Sequence, residues 1–285
     1  MSADSGEFGL RTVGLEPVEA PEEVAAAPPA ELIVQYEAAF ARQVERARRG
    51  SQAAAVAREL ARLEAAGPRE TVRRQEPVRS AVVMPARLPG HNQLGPTSLG
   101  PPYAFSWPWT AETGGGDAVA ELDPNQPPGT MYVRADFNPG TTTASAWMVE
   151  GHFFDATGRL ATVSALPSVW YDWLFGCGFE AAHTDGAIGM FVGAYDAQWQ
   201  WLGALVDVPV GNWWSHSGSA LDSSENNGSS SGYALSAVVA NLEPGFHYAV
   251  GVKVGVDSSS NFGGLFESYA SGIISARPPS ITWTQ

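Results

Sequence analysis

The sequence predicts a mainly β protein: an antiparallel two-sheet β-sandwich, jelly-roll or immunoglobulin-like, preceded by an N-terminal α-helical arm. Three observations support this fold class. After residue 102, apolar and polar residues alternate with period two over many short segments, as in half-buried strands. No helical pattern there is long enough for a β-α-β crossover, which argues against a parallel sheet. All ten Trp residues lie after residue 80, so the core-forming domain begins beyond that point.

The N-terminal part of the chain divides into three predicted segments. Residues 1–29 combine scattered Glu with four Pro and have no apolar period, which predicts an extended arm. Residues 30–67 carry apolar side chains at helical spacing, interrupted by Gly50, which indicates one or two helices. Residues 68–102 predict a linker, because eight of the last 22 are Pro or Gly.

Residues 103–285 form the predicted β-sandwich domain. The clearest strand is 246–256, where Phe246, Tyr248 and the four valines ending at Val256 share one face. Residues 131–137 alternate in the same way, and such alternation is typical of antiparallel sheets. Further strands are predicted at 103–109, 144–154, 159–166, 168–175, 187–195, 198–206, 232–240, 263–275 and 280–284.

A short motif precedes the clearest strand. Leu242, Pro244, Gly245 and Tyr248 have the spacing Leu-x-Pro-Gly-x-x-Tyr. This motif resembles the tyrosine corner of fibronectin type III and related β-sandwich domains. The resemblance covers seven residues and implies a fold without an activity. It also implies that the Tyr248 hydroxyl bonds to the turn before its strand.

The first predicted helix has one narrow apolar stripe, formed by Leu32, Tyr36, Phe40 and Val44. A stripe of this width cannot form a core alone and must pack on another surface. That surface is either the protein's own sandwich domain or another chain. The stripe is therefore the candidate oligomerisation site, through which the protein would self-associate or join a protein complex.

Charge and hydropathy exclude several classes of partner. The formal charge is −14, and residues 81–285 contain only 5 basic residues against 17 acidic ones. We therefore predict no nucleic-acid binding, because no basic patch is available to neutralise phosphates. No apolar run approaches the roughly 20 residues of a membrane helix, which argues against membrane insertion. The N-terminus has no secretory signal pattern, so we expect synthesis in the cytoplasm, with the final location open.

The sequence predicts no catalytic residues, metal site or cofactor. His152, His183, His216 and His247 lack metal-ligand spacing, and the single Cys177 excludes an intrachain disulfide. No nucleophile-elbow motif occurs. The many carboxylates allow chance pairs, but no motif indicates a glycosidase pair. An unrecognised hydrolase is therefore only the third functional hypothesis, and the protein is more consistent with a non-enzyme.

Aromatic residues distinguish the C-terminal domain. Two tryptophan pairs are spaced two residues apart, so each pair lies on one face of its predicted strand. We interpret both pairs as core residues that fill the space between two sheets. They are Trp107 with Trp109 and Trp199 with Trp201.

The consecutive Trp213 and Trp214 should point to opposite faces if this segment is extended. One indole would then lie near the surface, beside Asn212, His216 and a Ser- and Gly-rich loop predicted at 215–232. The candidate binding site therefore consists of Asn212, Trp213, Trp214 and His216, because an exposed indole can stack on the apolar face of a sugar.

The sequence therefore favours a non-enzymatic assembly or surface-displayed binding protein, in which the arm mediates oligomerisation or docking and the sandwich is displayed. The alternative is a lectin-like carbohydrate-binding module that uses aromatic residues near the loop.

Overall fold

The computed structural model describes residues 17–46, 97–136, 142–176, 182–207, 211–218, 223–260 and 268–285. In these ranges the protein is mainly β, with three antiparallel sheets in a sandwich-like arrangement and an N-terminal helical arm. The predicted fold class is confirmed. The predicted second helix and most of the predicted linker lie outside the described residues, as does Cys177.

The arm contains α1 (Glu22–Ala26) and α2 (residues 30–46). None of the described helices is long and apolar enough to cross a membrane. The strands are β1 (Thr97–Leu99), β2 (Phe105–Thr113), β3 (Asp117–Leu122), β4 (Met131–Asp136), β5 (Thr142–Asp155), β6 (Leu160–Ala165), β7 (Ser168–Gly176), β8 (Ala182–Tyr195), β9 (Trp201–Asp207), β10 (Gly211–Gly218), β11 (Ser223–Ser230), β12 (Leu235–Ala240), β13 (His247–Ser260), β14 (Tyr269–Arg277) and β15 (Ile281–Thr284).

A six-stranded sheet, here called the central sheet, organises the domain. Its strand order is β10-β8-β13-β5-β2, and β9 also pairs with β8. The strand β13 lies in the middle and pairs with both β5 and β8 along its whole length. A four-stranded sheet has the order β1-β15-β6-β12, and a five-stranded sheet has the order β11-β7-β14-β4-β3.

The main core lies between the central sheet and the other two sheets. Val250, Val252 and Val254 of β13 are fully buried there, as the period-two pattern predicts. The smaller sheets contribute large side chains such as Met131 and Trp283, which are also fully buried. Burying one face of each sheet in a shared core is the main stabilising contribution of this architecture.

The opposite face of the central sheet is covered by the arm. Leu32 and Tyr36 of α2 are buried in a second apolar cluster with residues of the central sheet, including Phe153 and Phe191. The amide of Val18 donates a hydrogen bond to the carbonyl oxygen of Phe153 at 3.1 Å. These contacts lie within one chain. Of the two surfaces expected for the stripe, they correspond to the protein's own sandwich domain.

Four local expectations differ from the structure. The predicted extended arm contains α1, which begins after Pro21. The predicted linker ends early, because β1 pairs with β15 inside its last six residues. The segment 215–232 is not one open loop, because the end of β10 and all of β11 lie within it. The strand β3 was not predicted from the sequence. The strands β1, β3 and β11 each lie at the edge of a sheet. Edge strands need few apolar side chains, so their composition does not distinguish them from loops.

The tyrosine corner forms as its motif implies. The Tyr248 hydroxyl accepts a hydrogen bond from the amide of Glu243 at 2.9 Å. Gly245 has a φ of +83°, a left-handed conformation that favours glycine. The turn and the beginning of β13 are therefore tied together.

Candidate functional site

A cavity of about 410 Å³ lies between α2 and the outer face of the central sheet. We call it the aromatic pocket. One side is an aromatic wall formed by Tyr36, Phe40, Trp109 and Trp147, and the other is a polar floor that includes Ser145, His183, Asp185, Ser217, Asp257 and Ser259.

Strand register builds the polar floor. Asp257 of β13 lies directly opposite Asp185 of β8 and opposite Ser145 of β5. Ser215 of β10 continues the same row, opposite Asp185. Directly opposed residues of antiparallel strands share a face, with Cβ atoms about 5 Å apart. Two carboxyl groups and two hydroxyl groups therefore lie side by side on one row of the sheet.

The aromatic wall comes from two paired strands and the helix. Trp109 of β2 lies opposite Trp147 of β5, and their ring centroids are 5.3 Å apart. From α2, the rings of Tyr36 and Phe40 lie 5.9 and 6.2 Å from the Trp109 ring. Trp109 and Trp147 are both half-buried, so part of each indole remains free to contact a ligand.

A half-buried lysine holds the helix beside this wall. Nζ of Lys253 lies 3.6 Å from the ring centroid of Trp147 and donates a hydrogen bond to the Tyr36 hydroxyl at 3.3 Å. The same ammonium forms an ion pair with Asp207. Burial lowers the pKa of Lys253, and the charge of Asp207 opposes that shift. The cation–π contact and the ion pair together fasten α2 to the central sheet.

The floor carboxyl groups lie in different electrostatic environments. Nε2 of His183 donates a hydrogen bond to Asp185 at 2.6 Å. Burial opposes ionisation of Asp185, but hydrogen bonds from His183 and Ser215 outweigh it, so its pKa is lowered. Burial raises the pKa of Asp257, whose carboxyl group is hydrogen-bonded to Ser145. The row therefore offers one carboxylate that is a strong hydrogen-bond acceptor and one carboxyl group that retains its proton more readily.

The side chain of Gln43 in α2 adds a hydrogen-bond donor that has no partner. Nε2 of Gln43 is buried and has no hydrogen-bond partner, while its Oε1 lies 3.1 Å from the Ser145 hydroxyl. A buried amide without a partner is costly unless a ligand or water pairs with it. Among the described residues, no group of three or more His, Cys, Asp or Glu could hold a metal ion.

The predicted binding residues have a different arrangement from the one expected. A register shift between Asn212 and Trp214 marks a β-bulge in β10, which breaks strict alternation. Trp213 and Trp214 therefore both contact Tyr171, at centroid distances of 5.3 and 6.0 Å. The expectation that the two indoles point to opposite faces is wrong. Trp214 is buried, and its indole N–H donates to the Thr184 hydroxyl at 3.1 Å.

Of the remaining two members of that set, His216 is not among the described residues that line the aromatic pocket. His216 is half-buried and stacks on Trp173 at 4.2 Å, and the side chain of Asn212 lies outside the described part of the structure. A Cβ at Gly186 would lie 2.2 Å from the Trp214 ring, so the indole fits only over glycine. These contacts are typical of core packing between two sheets.

The sequence contained a weak signal for the aromatic pocket. Trp107 and Trp109 do share one face of β2, but only Trp107 is buried, and its indole N–H donates to the Ala25 carbonyl at 3.2 Å. The pairing of β2 with β5 and of β8 with β13 brings Trp109 and the floor residues together. That pairing cannot be read from spacing within one strand.

No protein-family model matches the sequence, and no curated protein matches it. Among solved structures, the chain is similar to one described as the "structural basis for the promiscuous specificity of the carbohydrate-binding modules from the beta-sandwich super family". The identity is 9%, the TM-score is 0.20, and the match covers 61% of this chain and 56% of the other. The chain thus spans little more than half of that structure. A match this distant carries no argument about a ligand, and the fold and pocket define only a β-sandwich protein with a helix-covered cavity.

Proposed function

We propose that the protein binds a carbohydrate in the aromatic pocket and is a binding protein rather than an enzyme. The observation that supports this function is the tryptophan wall beside a floor of carboxyl and hydroxyl groups. A sugar has the same division, because its C–H faces are apolar while its edges carry hydroxyl groups. The pocket volume of about 410 Å³ falls in the usual range for small-molecule sites.

In this proposal the aromatic wall contacts the apolar face of the sugar, and the polar floor and Gln43 bind its hydroxyl groups. Trp109 stacks on the apolar face of the sugar ring, where a rigid indole buries a large area at low entropic cost. Trp147, whose ring plane is inclined at 64° to that of Trp109, contacts the edge of the sugar. The sugar hydroxyls donate to the carboxylate of Asp185 and accept from the unpaired Nε2 of Gln43. Hydrogen bonds to a charged acceptor are the stronger ones and fix the orientation of the ring.

The charge of the pocket favours a neutral sugar. Arg46 and His183 line the pocket together with Asp185, and both interact electrostatically with the Asp185 carboxylate. The carboxylate of a uronic or sialic acid would compete with Asp185 for these basic groups, whereas a neutral sugar brings no further charge beside it. We therefore expect neutral hexoses and N-acetylhexosamines to bind better than acidic sugars.

The arm acts as part of the site in this proposal. It supplies Tyr36, Phe40 and Gln43 to the pocket, and its stripe residue Leu32 is buried on the same chain. These contacts give no support to the sequence-based expectation that the stripe joins separate chains. They support the alternative expectation of a carbohydrate-binding module, at a different site from the one expected.

A glycan array with the full-length protein tests the proposal. The test variant is Trp109→Ala, and the matched control is Trp170→Ala, because Trp170 is 43% exposed and lies outside the pocket. We expect neutral glycans to be bound by the native protein and the control, and to be lost with Trp109→Ala. Asp185→Asn keeps the aromatic wall and should weaken binding while leaving the fold intact. Equal binding by all four proteins, or binding of no glycan, would contradict the proposal.

A further inference from the structure

A second cavity, of about 490 Å³, lies at the edge of β2 beside α1. We call it the acidic pocket, and it shares no lining residue with the aromatic pocket. Its chemically distinctive lining residues are Glu22, Tyr103, Phe105, Asp123, Thr130 and Glu150. No Lys, Arg or His is among the described residues that line it, so its acidic groups have no cationic partner there.

Glu150 is the unusual group in this pocket. It lies in β5, is only 3% exposed, and its Oε2 is buried with no hydrogen-bond partner. Its cross-strand neighbours are Ser106 of β2 and Val252 of β13, and neither can neutralise a carboxylate. A buried carboxyl oxygen without a partner costs free energy, and folded proteins rarely retain one unless something binds to it.

The neighbouring polar groups are already engaged or also acidic. The Tyr103 hydroxyl donates to the carbonyl of Pro278 at 2.6 Å. His152, two residues along β5, contacts the carbonyl of Gly100 through Nε2 at 3.1 Å. Glu22 of α1 and Asp123 after β3 add negative charge to the wall. The pocket therefore presents acceptors and negative charge to any occupant.

We propose that the acidic pocket binds a primary alkylammonium group, with Glu150 as its counter-ion. The ammonium donates to Oε2 of Glu150, which is otherwise unpaired. The Thr130 hydroxyl donates its own proton to the carbonyl of Pro127 at 2.6 Å, so its oxygen can accept a second bond. The alkyl part packs against the rings of Tyr103 and Phe105, which line the same cavity.

Apolar residues in the lining favour an organic cation over a metal ion. Ala25, Ala26, Pro102, Leu122 and Pro128 make up much of the wall, and an alkyl chain buries this surface where a hydrated ion cannot. In the described part of the chain no side-chain group has the ligands to hold a metal. A free amine and the side chain of a lysine present the same ammonium chemistry, so the test includes both.

Binding should depend on pH through Glu150. Burial raises the pKa of Glu150 to about 7. The other titratable groups at or beside the pocket are Glu22, Tyr103, Asp123, His152 along β5, and Arg277, which interacts electrostatically with Tyr103. An ammonium pairs with the ionised carboxylate, so it should bind more tightly at about pH 8 than at about pH 6. Binding should in turn lower the pKa of Glu150, because a nearby cation favours the charged carboxylate.

The experiment uses the full-length protein and two small probes, n-butylammonium and the neutral n-butanol of similar shape. Calorimetry measures binding, and the ¹³C carboxyl signal that disappears in Glu150→Gln reports the ionisation of Glu150. We expect n-butylammonium to bind and to lower the titration midpoint of that signal. Glu150→Gln should reduce affinity about tenfold or more, as for a lost charge-assisted hydrogen bond. The control Glu121→Gln changes an exposed glutamate outside the pocket and should have no effect.

Two further arms complete the test. Nα-acetyl-lysine methylamide replaces the free amine and shows whether a lysine side chain can enter the pocket. Potassium chloride shows whether any cation has the same effect. Equal binding of n-butanol, equal affinity of Glu150→Gln, an unmoved Glu150 signal or an equal effect of potassium would overturn the proposal. Thermal unfolding verifies that Glu150→Gln is folded, and the carbohydrate proposal is unaffected by either result.

Discussion

Replacing Leu32 with Ala tests whether the arm is an integral part of the domain. The side chain is fully buried between α2 and the central sheet. The substitution removes three buried carbon atoms with their hydrogens. At about 0.8 kcal/mol each, the lost hydrophobic free energy is about 2.4 kcal/mol. The cavity left behind adds to this cost, so we expect a loss of about 3 to 4 kcal/mol. Urea unfolding followed by tryptophan fluorescence measures the free energy, and hydrogen exchange at residues 30–46 measures the attachment of the helix.

The control for this prediction is Val34→Ala on the same helix. Val34 is 61% exposed, so its truncation should change the free energy of unfolding by less than about 0.5 kcal/mol. If both variants behave alike and the amides of α2 exchange as fast as those of a free peptide, then the helix does not pack on the sheet. The aromatic pocket would then lack one of its walls.

Three further predictions follow from individual contacts. Glu150 should lower the free energy of unfolding by about 3 kcal/mol as pH rises from about 4.5 to 7, because unfolded Glu150 loses its proton at the lower pH while the folded group retains it; the fall in a urea series should be smaller by about this amount in Glu150→Gln, whereas the share of Asp257, whose pKa burial also raises, stays in both proteins, and an equal fall in both would assign it elsewhere. Phe40→Asp should lower the melting temperature without changing the mass seen by mass photometry, because the ring lies against Trp109 of its own chain; a drop to a smaller mass would support oligomerisation through the stripe. Tyr248→Phe should cost about 1 kcal/mol in urea unfolding, because the amide of Glu243 loses its acceptor, and an unchanged stability would show that this bond contributes nothing.

The period-two pattern predicted most strands because alternate residues of each strand face the main core. The strand predicted at 131–137 corresponds to β4 (Met131–Asp136), and the one predicted at 280–284 corresponds to β15 (Ile281–Thr284). The pattern failed where a strand needs only backbone hydrogen bonds. The residues Ser223–Ser230 are Ser, Glu, Asn and Gly, but they pair with β7 over eight positions. Such a composition is common to loops and to edge strands, so sequence alone could not distinguish them.

The candidate site was harder to predict than the fold. Trp109, Trp147, Asp185 and Asp257 lie on four different strands, and only the order and register of those strands bring them into one pocket. The orientation of Trp213 and its neighbour depends on a bulge that the sequence does not mark. A single inserted residue reverses which side chains face the core. Alternation therefore predicts burial well within one regular strand and poorly at an irregular one.

The most direct test of the carbohydrate proposal is a titration of the indole ¹⁵N–¹H signals with the glycan that binds best on the array. The signals of Trp109 and Trp147 are assigned from their Ala variants, and those of Trp170 and Trp283 provide references, since the first lies outside the pocket and the second is fully buried in the main core. We predict saturable shifts of the Trp109 and Trp147 signals, with the two references unchanged. Shifts confined to Trp170 or to Trp213, or binding with no change at Trp109 and Trp147, would contradict the assignment of the aromatic pocket as the sugar site.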